Sequence, residues 1–416
     1  MKNRTTLALS TTLIMATSAM AAPALAAPME IEDLAKVRNA GSLVVAPDGQ
    51  TVAFTVSKQP DLHAGEEDGP SKAGLYLLRP GSGPVAFASG ENSVSRPHFS
   101  PDGGTLYFLT KRGEDEHNAL YSIPLSGGEA VRVFGHDTAI GDYAVSPDGG
   151  TLYFVATEKS EDDDGLKDKG FDAYAYEEDL DMAALWTVRL GADEPEAAKR
   201  FDDKHVTGLE LSPDGRTLVV SAVPTALIDD FYMKSRLHVL DAATGRLRAE
   251  VRTPGKLGGF KISPDGARIA FTAGTDIGDT SDGVLMVADA ASGAFRQLTA
   301  DAPQHIMDVE WADSDTILAN AHRGVESALV AYDLSGREER TVATPEDIVV
   351  RDVEVGGGGR LFLIADSPAH PREVFSAQGG AVRKLTDLNG WLEDIDLAPQ
   401  RAFSFTARDD ARSKVC

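Results

Sequence analysis

The sequence predicts an all-β fold, a seven-bladed β-propeller of four-stranded antiparallel blades. One phrase recurs in seven copies, five clear and two degenerate: an apolar alternation, a turn of the Ser-Pro-Asp-Gly kind, then a second apolar alternation. Each copy is followed at a regular offset by a second strand pair around a polar Gly turn. Successive turn prolines, Pro47, Pro101, Pro147, Pro213 and Pro264, lie 54, 46, 66 and 51 residues apart. Four short strands per repeat of this length are the signature of a propeller blade.

The first phrase has the chemistry of a β-hairpin. Pro presets φ for the turn, Asp bonds backbone amides further along, and Gly takes the positive φ that closes it. Clear copies are Pro47-Asp48-Gly49, Ser100-Pro101-Asp102-Gly103, Ser146-Pro147-Asp148-Gly149, Ser212-Pro213-Asp214-Gly215 and Ser263-Pro264-Asp265-Gly266. Degenerate copies are Trp311-Ala312-Asp313-Ser314-Asp315 and Val355-Gly356-Gly357-Gly358-Gly359. The flanking alternation predicts two strands with one face buried.

The second phrase appears as Leu75-Tyr76-Leu77-Leu78, Leu120-Tyr121-Ser122-Ile123, Leu185-Trp186-Thr187-Val188 and Leu237-His238-Val239-Leu240. It continues as Val284-Leu285-Met286-Val287, Leu329-Val330-Ala331-Tyr332 and Glu373-Val374-Phe375-Ser376. The long 66-residue interval carries an insertion from Glu158 to Met182, and a smaller one runs from Gln59 to Lys72. Long loops on a rigid scaffold are where function concentrates.

Composition bounds the function. With 42% hydrophobic and 25% charged residues the chain can bury a core. A formal net charge of −25 argues against nucleic acid and anionic membranes, whose phosphates require clustered Lys and Arg. The acidic runs Glu66-Glu67, Asp162-Asp163-Asp164 and Glu177-Glu178-Asp179 read as solvated loop faces. Cys416 is the single cysteine, so no internal disulfide or cysteine metal site forms. The scattered histidines show no metal-ligand spacing, and no phosphate-binding Gly-rich loop occurs, so neither a metal nor a cofactor is expected.

At the N-terminus, Lys2 and Arg4, an apolar stretch from Leu7 to Met20 and Ala24-Leu25-Ala26 form a secretory leader. The expected organisation is a signal peptide over 1–26, the propeller over 27–407 and an aberrant or truncated tail over 408–416. The expected location is periplasmic or secreted, without a membrane span.

The Ser-Pro-Asp-Gly hairpin is shared by TolB-like propellers and by the N-terminal propellers of prolyl oligopeptidase-type serine peptidases. The segment Asp366-Ser367-Pro368-Ala369-His370-Pro371-Arg372-Glu373-Val374-Phe375, then Leu385-Thr386-Asp387-Leu388-Asn389-Gly390, is more selective. It resembles the last blade of acylaminoacyl-peptidase-like and dipeptidyl-peptidase-like members. Ala402-Phe403-Ser404-Phe405-Thr406 resembles the strand that opens their hydrolase domain, and there the resemblance stops. It implies a propeller that caps a catalytic domain and admits short peptides. The chain itself holds no Gly-x-Ser-x-Gly elbow, so no catalytic residue is assigned within it.

Tyr174-Ala175-Tyr176-Glu177-Glu178-Asp179 is similar to the aromatic-Glu-Glu segment with which dipeptidyl-peptidase members clamp a substrate's free amino terminus. The resemblance implies a substrate-binding role for Glu177 and Glu178, two carboxylates able to hold an ammonium. The competing reading is a solvated loop or an inter-domain contact. Two other functions stay open: a TolB-like scaffold that binds a protein partner through the propeller face, and an enzyme active within the propeller itself. The latter needs a carboxylate pair or metal cluster in the central channel; the sequence shows no such cluster, although carboxylates from different blades can converge there without a local pattern. Phe403 and Phe405 are expected either to complete ring closure or to stand free of it.

Overall fold

The computed structural model describes residues 27–88, 93–159, 169–171, 177–178, 180–278, 283–300, 302–343, 347–408 and 412–415. The leader-like stretch 1–26 lies outside them. Among the described residues, seven four-stranded antiparallel sheets follow one another along the chain.

Blade one holds β1 (Arg38–Val45), β2 (Val52–Lys58), β3 (Lys72–Leu78) and β4 (Val85–Ala88). Blade two holds β5 (Ser95–Phe99), β6 (Thr105–Thr110), β7 (Ala119–Pro124) and β8 (Val131–Phe134). Blade three holds β9 (Asp142–Val145), β10 (Thr151–Thr157), β11 (Ala183–Arg189) and β12 (Ala198–Phe201). Blade four holds β13 (His205–Leu211), β14 (Thr217–Val223), β15 (Arg236–Asp241) and β16 (Leu247–Val251), with a helix, α1 (Ile228–Met233), between its second and third strands. Blade five holds β17 (Leu257–Ile262), β18 (Arg268–Ala273), β19 (Val284–Asp289) and β20 (Phe295–Gln297). Blade six holds β21 (His305–Trp311), β22 (Thr316–Arg323), β23 (Glu326–Asp333) and β24 (Glu338–Ala343). Blade seven holds β25 (Val349–Val355), β26 (Leu361–Ser367), β27 (His370–Gln378) and β28 (Ala381–Lys384).

The repeated turn closes as its residues dictate. In blade three Gly149 takes φ +71°, its N–H donates to the Ser146 carbonyl at 2.8 Å, and Asp148 accepts from Ser146 Oγ and the Gly150 N–H. Ser146 Oγ in turn accepts from the Thr151 N–H at 2.9 Å. Where Ala46 replaces the serine, Asp48 instead accepts from Gln50 N, Thr51 N and Thr51 Oγ1. These aspartates serve architecture.

The alternation buries both faces of the middle strands, whereas the sequence pattern suggested one. Val52 to Val56 of β2 are all buried, because each blade packs against a neighbour on either side. Seven apolar clusters result, one per seam. Leu75 and Leu77 face blade two, while Phe54 and Leu78 meet Phe362 and Ile364 of blade seven. Phe54, Phe108, Phe154 and Phe271 fill the same second-strand position in four blades, each fully buried. Burying each such side chain contributes roughly 1.5–3 kcal/mol.

The first strands touch one another around the axis: β1 meets β5, β9 meets β13, β17 meets β21, β21 meets β25, and β25 returns to β1. They therefore line the central channel. Blades one and seven each use their own consecutive strands, so no strand is shared across the last seam. The hairpin of β29 (Phe403–Thr406) and β30 (Arg412–Val415) joins no blade, and Phe403 and Phe405 are exposed in it.

Antiparallel topology sorts the loops. Ser-Pro-Asp-Gly hairpins lie on one face. The opposite face carries the links between second and third strands, including the loops after β2 and β10 and α1. The ring's first strand begins and its last strand ends on that same loop face. Among the described residues no helix is long and apolar enough to cross a membrane.

Candidate functional site: a charged central channel

Strand register brings together residues far apart in sequence. The position paired with the sixth residue after the turn proline is Val44, His98, Ala144, Glu210 and Lys261 in blades one to five. In blades six and seven the matching inner-strand positions are Glu310 and Glu354, paired with Leu318 and Phe362. Two residues earlier in their first strands stand Asp142, Asp308 and Asp352, the last two beside a β-bulge. One side of the channel thus gathers Glu210, Glu310, Glu354, Asp308 and Asp352 around a single lysine, Lys261.

The Lys261 ammonium is bonded to Glu310 and lies 3.7 Å from Glu354. Burial alone would lower its pKa, but the carboxylates of Glu310, Glu354 and Glu210 outweigh that and hold the ammonium well above the usual lysine value. The carboxylates respond oppositely. Burial pushes Glu210 and Glu354 up to about 8 against the pull of Lys261. Asp308 is pushed up to about 7 by burial and by the charges of Asp352 and Glu310. Burial raises Glu310 as well, although the ammonium bonded to it pulls the other way. His98 is lowered, by desolvation and then by repulsion from Lys261. Crowded around one cation, these half-buried carboxyls hold their protons more tightly than free carboxyls do.

Several of these carboxylates also brace neighbouring blades. Glu210 accepts from the Ile262 N–H at 3.1 Å, Asp142 from the Leu209 N–H at 3.2 Å, and Asp308 from the Val353 N–H at 3.3 Å. Each bond crosses to the next blade, so the ring of charge also stitches the inner wall. On the other side Arg96, at φ +51°, lies 3.5 Å from Asp142. Among the described residues no group of three or more His, Cys, Asp or Glu is arranged to hold a metal ion.

The sequence shows no channel cluster, yet carboxylates of different blades do converge here, from blades four, six and seven around the lysine of blade five. A signal was present, since His98, Glu210 and Lys261 each stand three residues before their turn proline. Glu310 and Glu354 were hidden because their turns lack that proline. Convergence alone does not make a catalytic pair, and the chemistry on display is a proton-binding, cation-favouring wall.

Glu177 and Glu178 sit in an exposed turn of the loop between β10 and β11, with Glu177 at φ +71°. Tyr174 and Tyr176 lie outside the described residues. The loop belongs to the face where the ring begins and ends. On that face α1 exposes Ile228, Phe231 and Tyr232, and Ile277, after β18, and Met307, near the start of β21, are exposed as well. Phe231, Tyr232, Leu257 and Met307 line a cavity of about 290 Å³ there.

In overall fold the chain is similar to the acylaminoacyl peptidase of Pyrococcus horikoshii, with a TM-score of 0.66 and 17% identity over 92% of this chain and 58% of that one. It is also similar to the β-propeller domain of the Trilobed protease from Pyrococcus furiosus, which is described as having an open velcro topology (TM-score 0.57, 14% identity, 84% and 99% covered). A prolyl endopeptidase structure gives a TM-score of 0.56 at 13% identity, with 92% and 53% covered. At these identities the shared property is the fold. The chain spans 58% of the length of the acylaminoacyl peptidase it matches. No protein-family model and no curated protein sequence matches it.

Proposed function

We propose that this chain is the propeller portion of an exported prolyl oligopeptidase-type serine peptidase, of acylaminoacyl or dipeptidyl type, in which it limits access to short peptides. The observation that carries the reading is the asymmetry of the two faces. The ring begins and ends on the face with the longest loops and the exposed apolar residues of α1, so a following catalytic domain would rest there. The opposite face carries the tight hairpins. Similarity to the acylaminoacyl peptidase fold over 58% of its length supports the same arrangement.

In this reading the chain supplies shape and charge while Ser, Asp and His come from the following domain. A peptide held below the loop face meets Glu177 and Glu178 at the rim, where carboxylates favour a free ammonium. The channel beyond sets five carboxyls against one lysine, so it grows negative and disfavours an anionic chain as those carboxyls ionise above neutral pH. The leader-like N-terminus supports export to a periplasmic compartment.

The test is covalent labelling of the native product, captured from the cell envelope with an antibody to the propeller, by a fluorophosphonate. The reading expects a labelled serine outside residues 1–416. A captured product that binds a protein partner and takes no label would overturn it in favour of a TolB-like scaffold.

A further inference from the structure

The turns on the hairpin face and the first strands below them form one passage, and the two carry different kinds of negative charge. Consecutive turns touch: a Cβ on Gly103 would lie 3.4 Å from Pro47, one on Gly215 2.8 Å from Pro147 and one on Gly266 3.6 Å from Ser212. Each turn follows a first strand, so together they rim the channel mouth. Asp48, Asp102, Asp148, Asp214 and Asp265 stand exposed on that rim.

The rim charge is fixed. A serine hydroxyl and then a backbone N–H hold Asp102, Asp148, Asp214 and Asp265 below the usual carboxylate range. Asp48 is lowered as well: burial opposes this, but Thr51 and Gln50 donate to the ionised form. These aspartates stay ionised from mild acid upward.

The throat behaves otherwise. Its charged groups are Arg96 and His98 on β5, Asp142 on β9, Glu210 on β13, Lys261 on β17, Asp308 and Glu310 on β21, and Asp352 and Glu354 on β25, while β1 supplies no charge at this depth. Six carboxyls thus face two lasting cations, because burial and the charge of Lys261 keep His98 neutral. Burial raises Asp142 against the pull of Arg96, and Asp352 against that of Lys261. Tyr107 and Tyr143, raised by burial, stay neutral. Fully ionised, the six carboxylates outnumber Lys261 and Arg96 by four; with Glu210, Glu354 and Asp308 protonated, the three that remain outnumber them by one at most.

We propose that the channel is a pH-set cation filter, with a permanently acidic mouth on the hairpin face and a throat that selects cations only once its carboxyls have given up their protons. The mouth gathers small cationic solutes throughout the neutral range. The throat passes them on preferentially in mild base and loses that preference in mild acid. The filter belongs to the ring itself, so it holds whether or not a catalytic domain follows.

Thiol reactivity inside the channel of the full chain tests this. Ala144 is half-buried and stands at the level of Glu210 and Lys261, so Ala144→Cys in a Cys416→Ser background places a single thiol in the throat. Its rates with two methanethiosulfonates, one bearing a quaternary ammonium and one a sulfonate, are taken as a ratio, which cancels the thiol's own ionisation. From about pH 6 to about pH 8.5 the ratio should rise about 10-fold or more, since three new charges act oppositely on the two reagents, and high salt should shrink the rise. Leu247→Cys, on the exposed outer strand β16, is the reference and should show a flat ratio. Glu210→Gln combined with Glu354→Gln should remove most of the rise at residue 144. A flat ratio there, or a rise that survives the Glu210→Gln, Glu354→Gln pair, would overturn the filter. If Ala144→Cys does not fold, Val44→Cys gives the same reading from blade one.

Discussion

Replacing Lys261 by Met removes the one cation among five channel carboxylates and leaves a side chain of similar length. At the 3.7 Å separation from Glu354, a charge pair in a partly wet protein site has a gross attraction of about 4 kcal/mol, and the bonded Glu310 adds a comparable amount. Desolvation cancels much of this. Glu310 is 13% exposed and Lys261 34%, so the net loss falls somewhat below that of a fully buried pair, at about 2–4 kcal/mol at pH 8. At pH 5 the loss is smaller. The sign follows from the raised carboxyls. Glu210 and Glu354, at about 8, and Asp308, at about 7, are largely neutral at pH 5, so fewer negative charges face the lysine. Above pH 8 they ionise and depend on it. Their own contribution to folding is complete below the unfolded carboxyl values and is lost as pH rises through 7 to 8. The assay is urea unfolding of wild type and Lys261→Met at both pH values, supplemented by melting, where the pH 8 deficit should be about 3–5 °C for a chain of this length. An equal deficit at the two pH values, or a larger one at pH 5, would refute the reasoning.

Two further outcomes concern packing. Gly49→Ala should destabilise by about 1–3 kcal/mol, because residue 49 has φ +66° and a Cβ there would lie 2.4 Å from Gly357 N; unchanged urea unfolding would show that the seam relaxes freely. His238 is 1% exposed with neither ring nitrogen hydrogen-bonded, and burial lowers its pKa. Protonation therefore costs folding stability as pH falls below the unfolded histidine value of about 6.5. His238→Leu should gain about 1 kcal/mol near pH 5 relative to pH 8, and an equal effect at the two pH values would contradict that origin.

The blades were legible because their cause is local. Pro147, Asp148 and Gly149 close a turn with bonds spanning five residues, and the flanking alternation is what any half-paired strand requires. Even the degenerate copies follow: Asp313 caps its turn through Asp315 N and Thr316 N, and Gly357 is where a second backbone comes close. The burial of both strand faces was not legible, since alternation between large and medium apolar residues does not tell which side meets a neighbouring blade. The channel was legible only in part. Glu210 and Lys261 share a turn offset, but their meeting with Glu310 and Glu354 depends on ring closure, which no local pattern encodes. Glu373 and Asn389 stood out as family-like positions, yet their hydrogen bonds to Thr386 and Arg38 join residues as many as 351 apart. Glu177 and Glu178 remain where the sequence put them, in a long exposed loop.

The most direct measurement of the central claim is the intact mass and N-terminal sequence of the native product from fractionated cells. The account predicts a periplasmic or secreted protein that begins at Ala27 and is heavier than the propeller by the mass of a hydrolase domain. A cytoplasmic product that keeps its leader, or one that ends with the propeller, would contradict it.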